Sequence, residues 1–505
     1  MKHLYAIGVA TVALLGVAGG AQAQTFTVGN LVVSRSVYSG DSTTVTVGQN
    51  LPDSKDGITP YKAVANGAYP NVFQNASVDG SFGVTAPIFL DQITTAGAKV
   101  NTLAINPSRI VTSFPSKSEL SLNLSTDGRS LTFMGYAAPV NALDVSNSLT
   151  PGSSEPGNFV TTTPTYRTVA QIDANGNMQT TNTQAYSGNN GRAAIYDSAN
   201  NDYLTIGNAG NGSGSAAITS ETGVQLITPG QDPVAAGTTR VGLYNITQNG
   251  YAADKTAKDN NFRGETIFNN TLYVTKGSGG NGINTVYQVG ANGILPTLGS
   301  AANAPINILP GFSTTPASSK TGNIFHPFGL FFANSTTLYV ADEGNQSLSD
   351  TTSNNLNAGL EKWSFASGSW SLDYTLQGGL NLGQKYGVAG LDPAFGPATD
   401  GLRNLTGKVN ADGSVSLYGI TSTVSGSGDQ GADPNKLVAI NDTLAFTTAA
   451  QAAGETFTTL QSAGYGEVLR GVAFAPVPEA SSAVLLGVGV LGLLGMFLRK
   501  RATAK

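Results

Sequence analysis

The sequence predicts an all-β protein, specifically a β-propeller of six blades, on three observations. Only 11% of the 505 residues are charged and 63 are glycine, whereas about 25% of an average soluble chain is charged. Short runs alternate apolar with polar residues and are separated by turn dipeptides. A two-strand phrase also recurs at intervals of roughly 65–75 residues, which is typical of a repeat architecture.

The alternating runs predict antiparallel hairpins. Leu120–Leu124 and Ser130–Phe133 flank an Asp-Gly turn, and Lys408–Val409 and Val415–Tyr418 flank another. Asp-Gly pairs are favoured in tight hairpin turns because they adopt positive φ at low cost. Residues 24–476 have no long apolar pattern of helical period, which argues against a helical bundle.

The recurring phrase consists of a first strand of small and apolar residues and a second strand that reads Leu-Tyr-Val or similar. The copies are Phe262–Phe268 with Thr271–Val274, His326–Phe332 with Thr337–Asp342, Leu402–Gly407 with Ser416–Gly419, and Leu469–Phe474, preceded by the weaker Gly191–Tyr196 with Tyr203–Ile206 and Ser118–Leu124 with Leu131–Phe133. A first strand with Gly and Ala fits the crowded axis of a propeller, so each copy predicts the inner part of one blade.

The last copy predicts how the ring closes. No second strand follows Leu469–Phe474, so strands predicted over 30–37, 87–91 and 100–105 complete that blade and remove its free edge. This count gives six blades. Seven blades are an alternative because strands near 222–246 would form a separate blade, and a β-sandwich or β-solenoid is the alternative architecture.

Residues 1–23 read as a secretory signal peptide. Lys2 precedes an apolar stretch from Leu4 to Val17, and Ala21-Gln22-Ala23 has the form of a cleavage site. The mature chain is therefore expected to begin at Gln24, with a propeller body over 24–476 and a third segment over 477–505.

The C-terminal segment has three parts in order. They are a motif (Val477, Pro478, Glu479, Ala480), an uncharged run (Ala483–Leu498) and a basic cluster (Arg499, Lys500, Arg501). The run would span roughly 24 Å as a helix, somewhat short of a bilayer core of about 30 Å. The basic cluster would hold its end in the cytoplasm. A plain C-terminal anchor is the alternative.

This three-part order resembles the PEP-CTERM sorting signal of Gram-negative bacteria. The resemblance implies an exported protein, held transiently in the inner membrane by a transmembrane helix, cleaved near the motif by an exosortase, and released to the cell surface or biofilm matrix of a strain that makes exopolysaccharide. Ala480 stands where the family motif has its second proline, which puts the efficiency of processing in doubt.

The phrase Leu338–Asp342 resembles those of NHL-type and SMP-30-like propellers, and the body resembles an uncharacterised group of bacterial PEP-CTERM propellers. The SMP-30 resemblance implies one alternative function, an extracellular metal-dependent hydrolase or lactonase. Glu265, Asp342, Glu343 and Asn404 are the residues that such a channel metal would recruit.

Composition excludes several kinds of site. The chain has no cysteine and two histidines, His3 and His326, so thiol chemistry and a histidine-rich metal site are excluded. The net charge is −5, and removing the five basic residues at the two ends takes the body to about −10. An acidic body argues against a nucleic-acid partner.

Arginine placement is the most informative local feature. Arg192, Arg263, Arg403 and Arg470 occupy the same point of the repeat, at the start of the first strand, and His326 precedes that point in a fifth unit. In a propeller this point lies near one mouth of the channel, where guanidinium groups bind carboxylate, sulfate or phosphate. The structural alternative is that each arginine ties its blade to neighbouring loops.

Two further patterns have a functional and a structural interpretation. Asp342 and Glu343 follow the clearest second strand and suit Ca²⁺, or they are solvated turn carboxylates. The aromatic residues of one unit suit sugar stacking, or they are core residues: Trp363, Trp370, Tyr374, Tyr386 and Phe395.

The leading hypothesis for function is therefore an exported surface propeller without catalytic activity. It would bind or organise exopolysaccharide or another surface partner. A metal-dependent hydrolase and a purely structural surface protein are the alternatives.

Overall fold

The computed structural model describes residues 25–38, 50–51, 61–62, 83–114, 119–143, 145–153, 163–210, 216–231, 233, 239–319, 325–345, 357–391, 393, 396–425 and 433–479. The predicted six-bladed β-propeller is confirmed. Six four-stranded antiparallel sheets each form one blade.

Strands are numbered in chain order, and each blade is given from the axis outwards. Blade 1 has β28 (Glu467–Phe474), β1 (Leu31–Val37), β5 (Ile88–Ile93) and β6 (Lys99–Ala104); blade 2 has β8 (Asn123–Leu124), β9 (Ser130–Tyr136), β10 (Arg167–Asp173) and β11 (Met178–Thr183); blade 3 has β12 (Gly191–Asp197), β13 (Asp202–Gly207), β14 (Gly223–Ile227) and β15 (Arg240–Val241). Blade 4 has β16 (Glu265–Phe268), β17 (Thr271–Lys276), β18 (Thr285–Val289) and β19 (Ile306–Ile308); blade 5 has β20 (Pro327–Asn334), β21 (Thr337–Asp342), β22 (Gly359–Ala366) and β23 (Ser369–Leu376); blade 6 has β24 (Ala398–Val409), β25 (Ser414–Val424), β26 (Lys436–Thr443) and β27 (Thr458–Ser462).

Smaller elements lie outside the blades. Two strand pairs are β2 (Asn50–Leu51) with β3 (Tyr61–Lys62) and β4 (Val84–Ala86) with β7 (Thr112–Phe114); the α-helices are α1 (Ala216–Glu221) and α2 (Thr256–Asp259); 3₁₀ turns cover Val145–Asn147, Ile246–Asn249, Ala301–Asn303 and Ala317–Ser319. In the described ranges no helix is long and apolar enough to cross a membrane. The predicted signal peptide and the run Ala483–Leu498 lie outside those ranges.

The innermost strands close a ring. Each contacts the innermost strand of the next blade, and the circle is completed by β24 against β28 and β28 against β8. The predicted pairing of the two chain regions is confirmed, since β28 is hydrogen-bonded along its length to β1. Arg35 of β1 adds an ion pair to Glu467 of β28 at 2.5 Å and another to Asp91 at 2.6 Å. The seven-blade alternative is wrong, because β14 and β15 are the outer strands of blade 3.

The Leu-Tyr-Val phrase has a packing explanation. In β17, Leu272 and Val274 pack into the cluster shared with blade 3, whereas Tyr273 packs into the cluster shared with blade 5. In β21, Leu338 likewise faces blade 4 and Tyr339 faces blade 6. Successive side chains of a strand point to opposite faces. The second strand of each blade therefore contributes to two blade interfaces, which is why both faces are apolar.

Small residues allow the blades to approach closely at the axis. A Cβ atom on Gly264 would lie 1.9 Å from the carbonyl oxygen of Phe328 in the next blade, and one on Gly471 would lie 2.4 Å from that of Leu120. Hydroxyl groups bridge the same contacts. Thr275 Oγ1 donates to Phe328 O at 2.7 Å and accepts from Gly264 N at 3.0 Å. The crowding predicted from Gly and Ala in the first strands is therefore present.

Candidate functional site

The inner strands enclose a cavity of about 430 Å³ on the propeller axis, lined by residues from all six blades. Each inner strand has a neighbour on one side only, so its other edge faces the axis. The polar side chains of the lining, apart from one carboxyl, are hydroxyls and amides. They belong to Ser121, Asn123, Ser125, Thr126, Thr266, Asn269, Asn270, Asn404 and Thr406.

Hydrogen bonds between inner strands lie at one end of the cavity lining. Asn404 donates through Nδ2 to the carbonyl of Arg470, and its Oδ1 accepts from Ser121 Oγ at 2.7 Å. These bonds join β24, β28 and the segment that leads into β8. Ser121 and Asn404 line the cavity, whereas Arg403 and Arg470 do not. The arginines predicted from the sequence therefore lie on the other side of this junction.

Glu265 is the one ionisable residue among the described residues that line the cavity. It is 5% exposed, and neither carboxyl oxygen has a hydrogen-bond partner in the described part of the chain. Burial raises the pKa of Glu265 well above its usual value, because the charged form loses its hydration. Burial therefore favours the neutral form of this carboxyl, and the other polar side chains of the lining are uncharged hydroxyls and amides.

The four predicted arginines lie in or just before the inner strands of four blades, and they interact electrostatically. Burial and then the neighbouring Arg263 hold the pKa of Arg192 well below its usual value. Burial also lowers the pKa of Arg263. The negative charge of Glu343 opposes this shift, and the positive charge of Arg403 adds to it. Arg470 interacts with the buried carboxyl of Glu119, which lies in the segment that leads into β8. The structure brings these residues together at one end of the axis.

The described contacts also give these arginines a structural role. Arg192 Nη1 in blade 3 donates to the backbone carbonyl of Phe262 at 2.7 Å and to the side-chain oxygen Oδ1 of Asn261, both at the entry to blade 4. Arg403 Nε in blade 6 is paired at 2.9 Å with Oε2 of Glu343, which directly follows the second strand of blade 5. The guanidinium groups therefore tie neighbouring blades while they share one end of the channel.

Sequence reasoning missed two members of this cluster. Arg167 is fully buried and donates to the carbonyls of Ser146, Thr165 and Asn189 at 2.7–2.9 Å. Glu119 accepts from Ser113 N at 3.0 Å and from the hydroxyl of Tyr136. Arg167 begins a third strand rather than a first one. It therefore has no counterpart in the repeat that would have revealed it.

His326 and the two predicted metal ligands have separate partners. His326 Nδ1 lies 2.9 Å from the carbonyl of Gly277, and its backbone N–H donates to Asp342 at 2.6 Å. Asp342 also accepts from Gly344 N, whereas Glu343 pairs with Arg403. Among the residues that the structure describes, no three His, Asp or Glu side chains are grouped as metal ligands.

The residues recruited by the lactonase hypothesis are also divided. Glu265 and Asn404 line the axial cavity, and Asp342 and Glu343 do not. Three of the aromatic residues considered for sugar stacking are in the core, since Trp363, Trp370 and Tyr374 are at most 9% exposed. Tyr386 is half-buried and its hydroxyl donates to the carbonyl of Pro434 at 2.7 Å, and Phe395 lies outside the described residues. Trp363 stacks on Phe312 with ring centroids 4.0 Å apart. The burial of Trp363, Trp370 and Tyr374 therefore supports core packing rather than sugar stacking for these three residues.

The sorting motif begins where the chain leaves the body. Val477 N–H donates to the carbonyl of Gly128 at 2.9 Å, and Val477, Pro478 and Glu479 are exposed. Ala480, Arg499, Lys500 and Arg501 lie outside the described residues.

A buried ionic network between blades 5 and 6 was also missed. Lys362 Nζ lies 2.7 Å from Asp442 Oδ2 and donates to the carbonyls of Thr443 and Leu444 at 2.9 and 3.1 Å. The hydroxyls of Tyr339 and Tyr374 donate to the same carboxylate. Lys362 and Asp442 are 80 residues apart in the chain, so no local pattern signals the pair.

This network predicts a pH dependence of stability through Glu455. Burial and then the nearby Asp442 raise the pKa of Glu455 to about 7. The folded protein therefore holds this proton more tightly than the unfolded chain does. The stability it confers is fully present below about pH 4.5 and is lost as the pH rises through about 7. Because Glu455 is partly exposed, we expect a loss of about 1 kcal/mol between pH 5.5 and 8.5.

Urea unfolding of the wild type and of Glu455→Gln at both pH values measures this effect. The variant should be less sensitive to pH by that amount. Equal pH dependence of the two proteins would contradict the assignment.

No family model matches the chain, and no curated protein matches it. Similar solved structures include the N-terminal domain of Nup159 (7% identity, TM-score 0.28, 89% of this chain and 98% of that one). They also include the parainfluenza virus 5 hemagglutinin-neuraminidase ectodomain (10%, 0.32, 78% and 77%) and the phage phi92 endosialidase (10%, 0.30, 86% and 60%). At these identities and TM-scores the similarities carry no conclusion about activity or ligand.

Proposed function

We propose that this chain is an exported, non-catalytic β-propeller that binds saccharide chains at the cell surface or in the extracellular matrix. The observation that carries the proposal is the axial cavity, whose lining offers uncharged hydroxyl and amide groups. Such groups donate and accept hydrogen bonds without a net charge, which suits a neutral ligand rich in hydroxyls. The open edges of the inner strands add backbone N–H and C=O groups.

The two chain ends support the export part of the proposal. Residues 1–23 have the form of a signal peptide, and residues 477–505 resemble a PEP-CTERM signal. Val477–Glu479 are exposed, so a processing enzyme of the exosortase type would reach the motif. Mass spectrometry of protein from the surface fraction of the producing strain tests this part. A chain that begins at Gln24 and ends near Ala480 supports it, and an unprocessed chain found only inside the cell contradicts it.

Co-sedimentation of the purified protein with exopolysaccharide from that strain tests the binding part. Sugar release is followed in the same samples, with Ca²⁺ and with a chelator. Retention without release is the expected result. Sugar release would replace the proposal with a hydrolase, and the absence of both would favour a purely structural surface protein.

Thr406→Val tests whether the cavity is the binding site. The substitution keeps the side-chain shape and removes one hydroxyl from the lining. We expect affinity for the polysaccharide to fall about 3- to 10-fold, which corresponds to one net hydrogen bond. Thr458→Val is the matched control, because Thr458 is an exposed residue on the outermost strand of the same blade. Equal affinity of Thr406→Val and the wild type would place binding elsewhere.

A further inference from the structure

The arginine end of the axis is a positively charged cluster in an acidic protein. The five arginines come from five blades, and all but Arg263 are at most 5% exposed: Arg167 (β10), Arg192 (β12), Arg263 (just before β16), Arg403 (β24) and Arg470 (β28). Glu119 and Glu343 are among the carboxylates that interact with these arginines, and Glu221 interacts with Arg167.

Neighbouring lysines experience the same positive potential. Burial and then Arg192 and Arg263 lower the pKa of Lys258 to about 8. Burial and then Arg263 lower the pKa of Lys276 to about 7, although Asp259 opposes the shift. Like charges that are buried together destabilise one another unless a counter-charge is present.

The geometry at Arg403 points to the position of that counter-charge. Its Nε is paired with Glu343 at 2.9 Å, so the fork of its guanidinium is already oriented. Its Nη2 is buried and has no hydrogen-bond partner among the described residues. Guanidinium groups bind planar carboxylates and tetrahedral oxyanions through such free N–H groups.

We propose that the arginine end of the channel is an anion-binding site, distinct from the axial cavity, that takes a carboxylate, sulfate or phosphate group. Arg403 donates to the oxyanion through its Nη2, Arg263 adds positive charge beside it, and Glu343 orients Arg403 while competing with the anion for that charge. The site holds either a free oxyanion or an acidic substituent of a saccharide chain. The proposal does not depend on saccharide binding in the cavity.

Isothermal titration of the full chain with sodium sulfate and with sodium acetate, at constant ionic strength in NaCl, tests this site. We expect saturable one-site binding that weakens as NaCl is raised. Glucuronate and glucose distinguish the sources of the anion. Tighter binding of glucuronate than of acetate identifies a saccharide substituent, and equal binding identifies a free oxyanion. Both results support the site.

Variants assign the binding to these residues. Arg403→Gln and Arg263→Gln should weaken sulfate binding at least 5-fold, whereas Glu343→Gln should strengthen it about 3-fold because the competing carboxylate is removed. Arg129→Gln, at an exposed arginine, is the control and should change nothing. If Arg403→Gln does not fold, the wild type and Glu343→Gln decide the question. No saturable binding to the wild type, or unaltered binding by Glu343→Gln and Arg263→Gln, would overturn the proposal.

Discussion

Replacing Lys362 with methionine is expected to lower the free energy of unfolding by about 3–5 kcal/mol. The Lys362 side chain is 1% exposed and that of Asp442 is 0% exposed. Methionine fills most of the volume of the lysine stem but leaves the Asp442 carboxylate buried with no positive charge beside it. The hydroxyls of Tyr339 and Tyr374 still donate to that carboxylate, but they do not neutralise it.

Urea unfolding of the single and double variants separates charge from packing. Asp442→Leu alone should also be strongly destabilising, because it leaves the Lys362 ammonium buried and unpaired. The double variant Lys362→Met/Asp442→Leu removes both charges, so its loss should be clearly smaller than the sum of the two single losses. A loss below about 1 kcal/mol for Lys362→Met would mean that the pair does not stabilise the interface between blades 5 and 6.

The blades themselves could be predicted from the sequence because their signals are local. Alternation along Thr337–Asp342 and the turn at Asp412-Gly413 each specify a hairpin without reference to the rest of the chain. Closure of the ring by β28 and β1 was also predictable, since a final first strand without a successor requires a partner. The number of blades was harder to predict, because β15 consists of only Arg240–Val241. A strand of two residues has no alternating pattern that would assign it to blade 3 rather than to a separate blade.

The chemistry of the site was only partly predictable. Arg192, Arg263, Arg403 and Arg470 share one position of the repeat, and a shared position in a ring means a shared end of its axis. Their partners have no such regularity. Glu119 and Arg167 interact within blade 2, one before its first strand and the other in its third. Glu343 pairs with Arg403, which is 60 residues away in the sequence. Long-range pairs of this kind depend on the packing of blades rather than on any periodic pattern.

Gly264→Ala is the second substitution for which a large effect is expected. The added Cβ would lie 1.9 Å from the Phe328 carbonyl oxygen and 2.7 Å from its carbonyl carbon. Both atoms belong to the backbone of the neighbouring inner strand, so no side-chain rotation relieves the overlap. Blades 4 and 5 would have to separate, which would stretch the hydrogen bond from Thr275 Oγ1 to Phe328 O that joins them. We expect a loss of at least about 3 kcal/mol in the free energy of unfolding.

Gly280→Ala is the matched control, since a Cβ at Gly280 has no heavy atom within 4 Å. Its stability should differ from that of the wild type by less than about 0.5 kcal/mol. Every inner strand contacts the inner strands of both neighbouring blades. One blade therefore cannot move outwards without disturbing its contacts with both neighbours. The cost of one methyl group at Gly264 therefore measures how rigidly the ring holds its axis. A small loss for Gly264→Ala would show that the axis can widen to admit a side chain, and the size of the axial cavity would then be adjustable.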